Sequence, residues 1–186
     1  MDLARLHPQA RAALGAQVRA PLTVDNLAEV RASMVQAAPV EVGPGPEVRN
    51  VDGVDADGVP ARWYRENDDR PVLVYAHGGG WVMGDLETHD GLCRHLVRAS
   101  GWSVLAVDYR LAPEAPFPAA VEDLSAAVGW ARRYGTVAVA GDSAGGQLAA
   151  VVARQERDAG RPIAAQVLIC PVLDPGMTYP DLDDYG

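Results

Sequence analysis

Lysine is absent from this sequence of 186 residues, so every basic side chain other than histidine is an arginine. The 16 arginines are outnumbered by 25 acidic residues, which gives a formal net charge of -9. A protein that binds the phosphate backbone of a nucleic acid needs a basic surface. The charge balance therefore argues against a nucleic-acid partner and otherwise indicates little beyond solubility.

The sequence also has few cysteines and no long apolar run. Its two cysteines, Cys93 and Cys170, make no disulfide framework, and we interpret both as small hydrophobic residues. No apolar stretch approaches the ~18 residues that a membrane span needs, and residues 1–15 contain no apolar signal core. We therefore expect a cytoplasmic protein without stable insertion into a membrane.

What is present is an ordinary globular composition, 48% hydrophobic and 22% charged, in a chain long enough for one domain with a sizeable core. Four compact apolar runs predict strands, at 71–75, 103–107, 137–140 and 165–169. The segments between them predict helices, at 91–100, 117–133 and 144–159. Alternating strands and helices predict an α/β fold with a doubly wound, mostly parallel sheet.

The first third of the chain carries two further patterns. Residues 2–38 have apolar positions at helical spacing and predict two short helices, the second around Leu27 and Met34. These helices are expected either to cap a site or merely to cover the sheet. Residues 48–65 alternate weakly across the turn signals Asp52-Gly53 and Asp57-Gly58, which predicts a β-hairpin that enters the sheet.

The chain is organised around residues 136–147, TVAVAGDSAGGQ, where a β-branched run gives way to an Ala-rich helical pattern. Gly141 and Gly145 stand two residues before and two after Ser143. In a Gly-x-Ser-x-Gly nucleophile elbow these positions must lack bulk, because strand and helix nearly touch there. The segment predicts a strand, a sharp turn and a helix that present Ser143 as a nucleophile.

Two more motifs follow strand ends. The first, HGGGW, comprises His77, Gly78, Gly79, Gly80 and Trp81, and its glycines leave backbone N–H groups unshielded, as an oxyanion hole requires. A plain turn and a phosphate cradle are the alternatives, but one glycine would suffice for the turn and no Gly-Lys-Ser/Thr follows.

The second motif, DYRLAPE at 108–114, carries opposed charges around a proline. Its residues Asp108, Arg110 and Glu114 predict a loop pinned by charge-assisted hydrogen bonds, with a structural role.

Together HGGGW at 77–81, DYRLAPE at 108–114, FPAA at 117–120 and GDSAGG at 141–146 closely resemble the hormone-sensitive-lipase-like branch of the α/β-hydrolases. The resemblance implies an α/β-hydrolase fold with an N-terminal helical cap, residues 1–45, and a partial catalytic domain, residues 46–186. It implies a carboxylesterase or lipase that acts on a small-molecule ester of a short to medium acyl chain, without metal or cofactor. An edge strand often supports a dimer in this family, so a homodimer of the full-length protein is implied as well.

The resemblance also assigns roles, residue by residue. Ser143 matches the nucleophile, and the N–H groups of Gly79, Gly80 and Ala144 match the oxyanion hole. His77 matches a residue that shapes the oxyanion loop, and Trp81 one that lines or supports the acyl pocket. Asp142 is the variable member of the elbow and not the triad acid. Gln147 stands where the family usually has asparagine.

The general base is the largest departure from the family pattern. The triad order in this fold is serine, acid, histidine, yet no histidine follows His95 and the sequence ends 43 residues after Ser143. We do not expect the base to be His7, His77, His89 or His95, nor a metal to be held by His89, Cys93 and His95, because their helix and loop positions would not converge.

We therefore expect the sequence to be the N-terminal part of a longer enzyme, without the C-terminal strands and with little or no activity by itself. Two alternatives stay open: a non-catalytic α/β-hydrolase homologue that binds a small molecule, and a truncated gene product without function.

Overall fold

The computed structural model describes residues 7–9, 21–41, 43–67, 71–174 and 176. Residues Val24–Leu173 form one compact unit, and Met1–Thr23 together with Asp174–Gly186 form a second. Within the second unit, Asp174 Oδ1 accepts a hydrogen bond of 3.0 Å from the Gly176 N–H. The first of the two predicted N-terminal helices lies mostly outside the described residues.

The larger unit contains one six-stranded sheet in the order β1-β2-β4-β3-β5-β6. Its strands are β1 (Asn50–Asp55), β2 (Pro60–Arg65), β3 (Val72–Ala76), β4 (Ser103–Val107), β5 (Val137–Asp142) and β6 (Gln166–Ile169). Its helices are α1 (Leu27–Glu41), α2 (Asp90–Ser100), α3 (Ala119–Ala131), followed by a 3₁₀ turn at Arg132–Tyr134, and α4 (Ser143–Asp158). The predicted alternation of strands and helices is confirmed.

The predicted hairpin is β1 and β2, which pair antiparallel with Asn50 opposite Arg65 and Asp55 opposite Pro60. Its turn uses Asp57-Gly58, both with positive φ (59° and 89°), as a tight hairpin turn requires. The prediction that Asp52-Gly53 also marks a turn is wrong. Both residues lie within β1 and pair with β2, because the cross-strand ladder outweighs the local turn preference.

Strands β3, β4, β5 and β6 are parallel, with β3 between β4 and β5. Every residue of β3 and β4 is buried, as expected of strands covered on both faces. Odd and even positions pack into different layers: Val72 and Val74 face α3 and α4, whereas Leu73 and Tyr75 face α2. The chain therefore has the predicted α/β fold with helices on both faces of a mostly parallel sheet.

The strand order reverses at β3. The chain goes from β3 to β4 on one side, and then crosses to β5 on the other side. Loops that follow β3 and β5 consequently diverge, and a crevice opens at the carboxyl ends of these two strands. HGGGW follows β3 and Ser143 follows β5, so the fold places both motifs at this crevice.

Helix α1 forms where the second N-terminal helix was predicted, but it continues past Pro39 to Glu41. Residues 39–41 are therefore helical although the predicted helical pattern ends at residue 38. The assignment of residues 1–45 as a cap stays a prediction. Among the described helices, none has both the length and the apolar character needed to cross a bilayer.

The two cysteines differ in their surroundings. Cys93 is buried between α2 and the sheet, as predicted, and both thiols are free. Cys170 is exposed, so it is not buried as its interpretation as a small hydrophobic residue would suggest. It follows β6, which forms one end of the described sheet, where Val167 is 46% and Ile169 37% exposed.

Candidate active site

The turn between β5 and α4 is as tight as the elbow motif predicts. Ser143, the first residue of α4, has φ 52°, a left-handed conformation that is unfavourable for a non-glycine residue. A Cβ at Gly141 would lie 2.6 Å from the Ala76 carbonyl oxygen, and one at Gly145 would overlap the carbonyl oxygens of Ala76 and His77. Glycine at both positions lets α4 pack directly against the end of β3.

The glycine loop, residues 77–83 after β3, folds back on itself. The Gly79 carbonyl accepts hydrogen bonds from the N–H groups of Val82 (3.2 Å) and Met83 (2.9 Å). Gly79 has φ 129°, and a Cβ there would overlap the Met83 carbonyl, so only glycine fits. In the described part of the chain, the N–H groups of Gly79 and Gly80 donate no hydrogen bond. They are therefore available as donors.

Asp142 connects the elbow to the glycine loop. Its Oδ1 accepts hydrogen bonds from the Gly78 N–H (2.9 Å) and the Tyr75 hydroxyl (2.6 Å), and His89 Nε2 lies 3.3 Å from the same oxygen. Burial acts to raise the pKa of Asp142, but His89, Tyr75 and Gly78 outweigh it and lower the pKa to about 2. The carboxylate stays ionised and holds the start of the glycine loop.

His77 is a buried structural side chain, 2% exposed. Its ring stacks on Tyr109 with centroids 4.3 Å apart, and Nδ1 lies 2.9 Å from the Gly78 carbonyl oxygen. Because a carbonyl oxygen only accepts, Nδ1 carries the proton. Burial is the main cause that lowers the pKa of His77 to about 4, so the imidazole is neutral near pH 7.

The other end of the glycine loop contacts α4 through Trp81. Its indole Nε1–H donates to Gln147 Oε1 over 3.0 Å. Both side chains line a cavity of about 240 Å³ between the loop, α3 and α4. Most of the remaining lining is apolar and includes Phe117, Val121 and Val151. The Gln147 amide thus orients the indole beside an apolar cavity.

Two charges of the DYRLAPE motif, on Arg110 and Glu114, pin its loop as predicted, but their partners lie outside the motif. Within the described residues the Asp108 carboxylate makes no hydrogen bond or ion pair, so the prediction is wrong for this residue. The Arg110 guanidinium binds the Asp123 carboxylate on α3 at 2.7 and 3.0 Å, and Glu114 binds Arg31 on α1. Tyr109, within the motif, donates its hydroxyl to the His77 carbonyl over 2.7 Å. The loop therefore braces both α1 and the start of the HGGGW motif.

The structure brings the predicted residues together in two places. The Gly78 N–H is hydrogen-bonded to Asp142, the residue before Ser143. The Trp81 indole is hydrogen-bonded to Gln147, four residues after Ser143. In the sequence, Gly79 and Gly80 lie between the bonded residues of the glycine loop. Ser143 and Ala144 likewise lie between the bonded residues of the elbow. Ala144 is the second residue of α4, where the N–H has no intrahelical acceptor four residues before it.

Sequence reasoning missed three contributors to this site. His89, considered from the sequence only as a general base or metal ligand and rejected in both roles, contacts Asp142. Arg31 contacts the glycine loop from α1, and the Val172 N–H donates to the Ser143 carbonyl over 3.1 Å. No local motif marks them, since their partners are distant in sequence. Among the described residues, no group of three or more His, Cys, Asp or Glu side chains is arranged to hold a metal ion.

Comparison with known proteins decides the family. Residues 73–185 match the profile of a family described as alpha/beta hydrolase fold. The chain belongs to this family. The resemblance read from the motifs is confirmed by curated relatives in Mycobacterium tuberculosis (strain ATCC 25618 / H37Rv). "Carboxylic ester hydrolase LipN" is 47% identical over 154 residues, and "Esterase LipI" is 47% identical over 143 residues.

The matched region covers 74% of this chain but only 40% of LipN, and 68% of this chain but 45% of LipI. The chain thus spans less than half the length of these α/β-hydrolase relatives. A solved esterase from Pyrobaculum calidifontis is 41% identical, with a TM-score of 0.79 over 90% of this chain and 59% of that one. The carboxylesterase EstE1, cloned from a metagenomic library, is 38% identical with a TM-score of 0.78, over 88% and 62% of the two chains.

Proposed function

We propose that the protein containing this chain is a carboxylic ester hydrolase with Ser143 as its nucleophile. The observation that carries the proposal is the strained φ of Ser143 at a glycine-flanked turn that is bonded to the glycine loop. Relatives named as ester hydrolases, which match across this region, support it.

In the proposed reaction the Ser143 hydroxyl oxygen attacks the ester carbonyl carbon, and the hydroxyl proton passes to a general base. The N–H groups of Gly79, Gly80 and Ala144 donate to the oxyanion of the tetrahedral intermediate. Collapse of this intermediate expels the alcohol, which takes up the proton, and water then releases the acyl group by the same steps.

The base is proposed to come from the part of the protein that this chain does not span. His77 is buried and hydrogen-bonded to Gly78, and His89 contacts Asp142 and Thr88. Both imidazoles are therefore committed to structural contacts. The matched relatives are more than twice as long as the regions that this chain matches, which leaves room for an acid and a histidine.

The substrate is proposed to be a small ester with a short to medium acyl chain. The apolar cavity beside Trp81 has a volume of about 240 Å³, below the ~300 Å³ of the smallest usual drug-sized pockets. A cytoplasmic location and a homodimer remain predictions from the sequence and the resemblance.

The test is covalent labelling of the protein expressed from its full open reading frame. A fluorophosphonate should add to Ser143 and p-nitrophenyl acetate should be hydrolysed, whereas Ser143→Ala should lose the adduct and at least about 10³-fold in kcat. Ser125→Ala, which removes a hydroxyl on α3, is the matched control and should retain both. Normal turnover by Ser143→Ala, or an adduct on another residue, would refute the assignment.

A further inference from the structure

Arg31 is placed where one side chain reaches two loops of the site. From α1, its Nε–H donates to the Val82 carbonyl over 2.7 Å, and one Nη2–H donates to the Ala112 carbonyl over 3.0 Å. The guanidinium also binds the Glu114 carboxylate through two nitrogens, with Nη1 donating to Oε1 at 2.7 Å and Nη2 donating to Oε2 at 2.9 Å. All three partners belong to loops that follow β3 and β4.

Val82 is the point at which the glycine loop turns back. Its N–H donates to the Gly79 carbonyl, and the carbonyl of the preceding Trp81 accepts a bond of 2.9 Å from the Ala112 N–H. The loop is thus fixed by Asp142 at Gly78 and by Arg31 with Ala112 at residues 81–82. Gly79 and Gly80, with their free N–H groups, lie between these two attachments.

The ion pair with Glu114 does not by itself explain this arrangement. Glu114 is mostly exposed, and exposed pairs contribute little to stability. The pair instead orients the guanidinium plane, because two of its nitrogens bind the two carboxylate oxygens of Glu114. With the fork fixed on Glu114, Nε and Nη2 point at the two loop carbonyls.

We propose that Arg31 is a positioning residue that links docking of the N-terminal helix α1 to the geometry of the Gly79–Gly80 oxyanion donors. The catalytic consequence rests on the function proposed above; the positioning of the loop does not. Lysine cannot replace arginine, because a single ammonium does not present a planar fork to a carboxylate and two carbonyls at once.

The experiment compares Arg31→Lys with wild type in the protein expressed from its full open reading frame. We expect kcat for p-nitrophenyl acetate to fall by about 10- to 100-fold while KM changes less than about threefold, because displaced donors weaken only the transition state. Hydrogen exchange of a peptide covering residues 79–83 should become faster, while exchange in β3 and β5 should stay unchanged.

Two controls separate the positioning role from a general effect of charge. Arg133→Lys disrupts another arginine–carboxylate pair, in which Arg133 Nη2 donates to both carboxylate oxygens of Asp57, far along the chain at the 3₁₀ turn. This variant should keep both readouts at wild-type values. Glu114→Gln removes the ion pair but leaves the donors to Val82 and Ala112, so its effect should be clearly smaller than that of Arg31→Lys. Should Arg31→Lys fail to fold, Arg31→Gln takes its place.

Each result decides the matter. Unchanged exchange in residues 79–83, or faster exchange with unchanged kcat in an active enzyme, overturns the proposal. If wild type hydrolyses no ester, the proposed function fails, and the exchange rates of residues 79–83 still decide whether Arg31 positions the loop.

Discussion

At Ser143, strain and exposure to the crevice arise from the same backbone conformation. A left-handed φ turns the side chain away from the path that a regular strand-to-helix connection would give it. The strain persists because the surrounding residues are fixed: Gly145 packs on the end of β3, and Val172 bonds to the Ser143 carbonyl. The nucleophile is therefore positioned by its backbone neighbours, and its own side chain needs no partner to hold it.

His77 should make the protein less stable in acid. Its pKa in the folded protein is about 4, against 6.5 ordinarily, so between these values the unfolded chain binds a proton that the folded protein does not. Above pH 6.5 the protonation of His77 does not change the free energy of unfolding. Below pH 6.5 this free energy decreases as the pH falls towards 4. The loss in free energy of unfolding should reach about 3 kcal/mol at pH 4.

Denaturant unfolding at pH 7 and pH 4 checks this prediction. His77→Gln should show a smaller decrease than wild type by about that amount, while His95→Gln, at an exposed position on α2, should show the wild-type decrease. Equal decreases in wild type and His77→Gln would contradict the prediction. Asp142, whose pKa falls from 3.8 to about 2, begins to lower the stability only near pH 4, and wild type and both variants share this contribution.

Individual residues were predictable from the sequence only where a motif names them. The nucleophile and the glycine loop stand in short patterns with a steric reason for each residue. Their supports do not: Gly78 and Asp142 are 64 residues apart, Trp81 and Gln147 are 66 apart, and Arg31 and Glu114 are 83 apart. Such pairs form when the sheet brings strand ends together, and no local pattern specifies them.

The helices and strands themselves were largely predictable. Buried parallel strands read as continuous apolar runs, and β3 and β4 were placed to within one residue at each end. One error occurred where tertiary pairing outweighed a local preference, at Asp52-Gly53 inside β1. Another concerned the end of α1, which continues through Pro39 to Glu41. The first two residues of the 3₁₀ turn at Arg132–Tyr134 were predicted as the end of a longer helix.

At the level of elements, the approach of α4 to β3 depends on the missing side chain at Gly145. Gly145→Ala should lower the free energy of unfolding by about 2 kcal/mol or more, because a Cβ there overlaps two backbone carbonyl oxygens of β3 and the residue after it. Thermal and denaturant unfolding measure the change. Ester hydrolysis should decrease as well, since the displaced helix carries Ser143.

Gly129→Ala is the matched control in a helix. Gly129 is an exposed residue of α3, and a Cβ there would have nothing within 4 Å. Since alanine favours a helix by about 1 kcal/mol over glycine, this variant should be as stable as wild type or more so. Equal stability of the two variants would show that α4 can move away from β3 at little cost.

For the molecule as a whole, β6 leaves apolar surface exposed at one end of the described sheet. Val167, Ile169 and Leu173 are 46%, 37% and 62% exposed. An exposed apolar edge strand offers unpaired backbone groups to another chain. A protein restricted to residues 1–186 should therefore self-associate in a concentration-dependent way, as measured by sedimentation velocity.

Val167→Lys should reduce this self-association, because a charge on an edge strand opposes pairing with a second copy. Val24→Lys is the matched control: Val24 is 75% exposed but precedes α1, so the same charge change should leave association as in the unsubstituted chain. If residues 1–186 are monomeric, or if the two substitutions have equal effects, β6 is not the surface through which the chain self-associates.

The contact between Arg31 and Glu114 has a consequence for the time course of synthesis. Helix α1 leaves the ribosome before the sheet, but its carboxylate partner is made 83 residues later. At roughly 5 to 20 residues per second, this delay is about 4 to 17 s. A helix of 15 residues is marginal in water without tertiary contacts, so α1 should not become stable before its partners have been made. Docking of α1 through Arg31 therefore requires that the loops after β3 and β4 have both been synthesised.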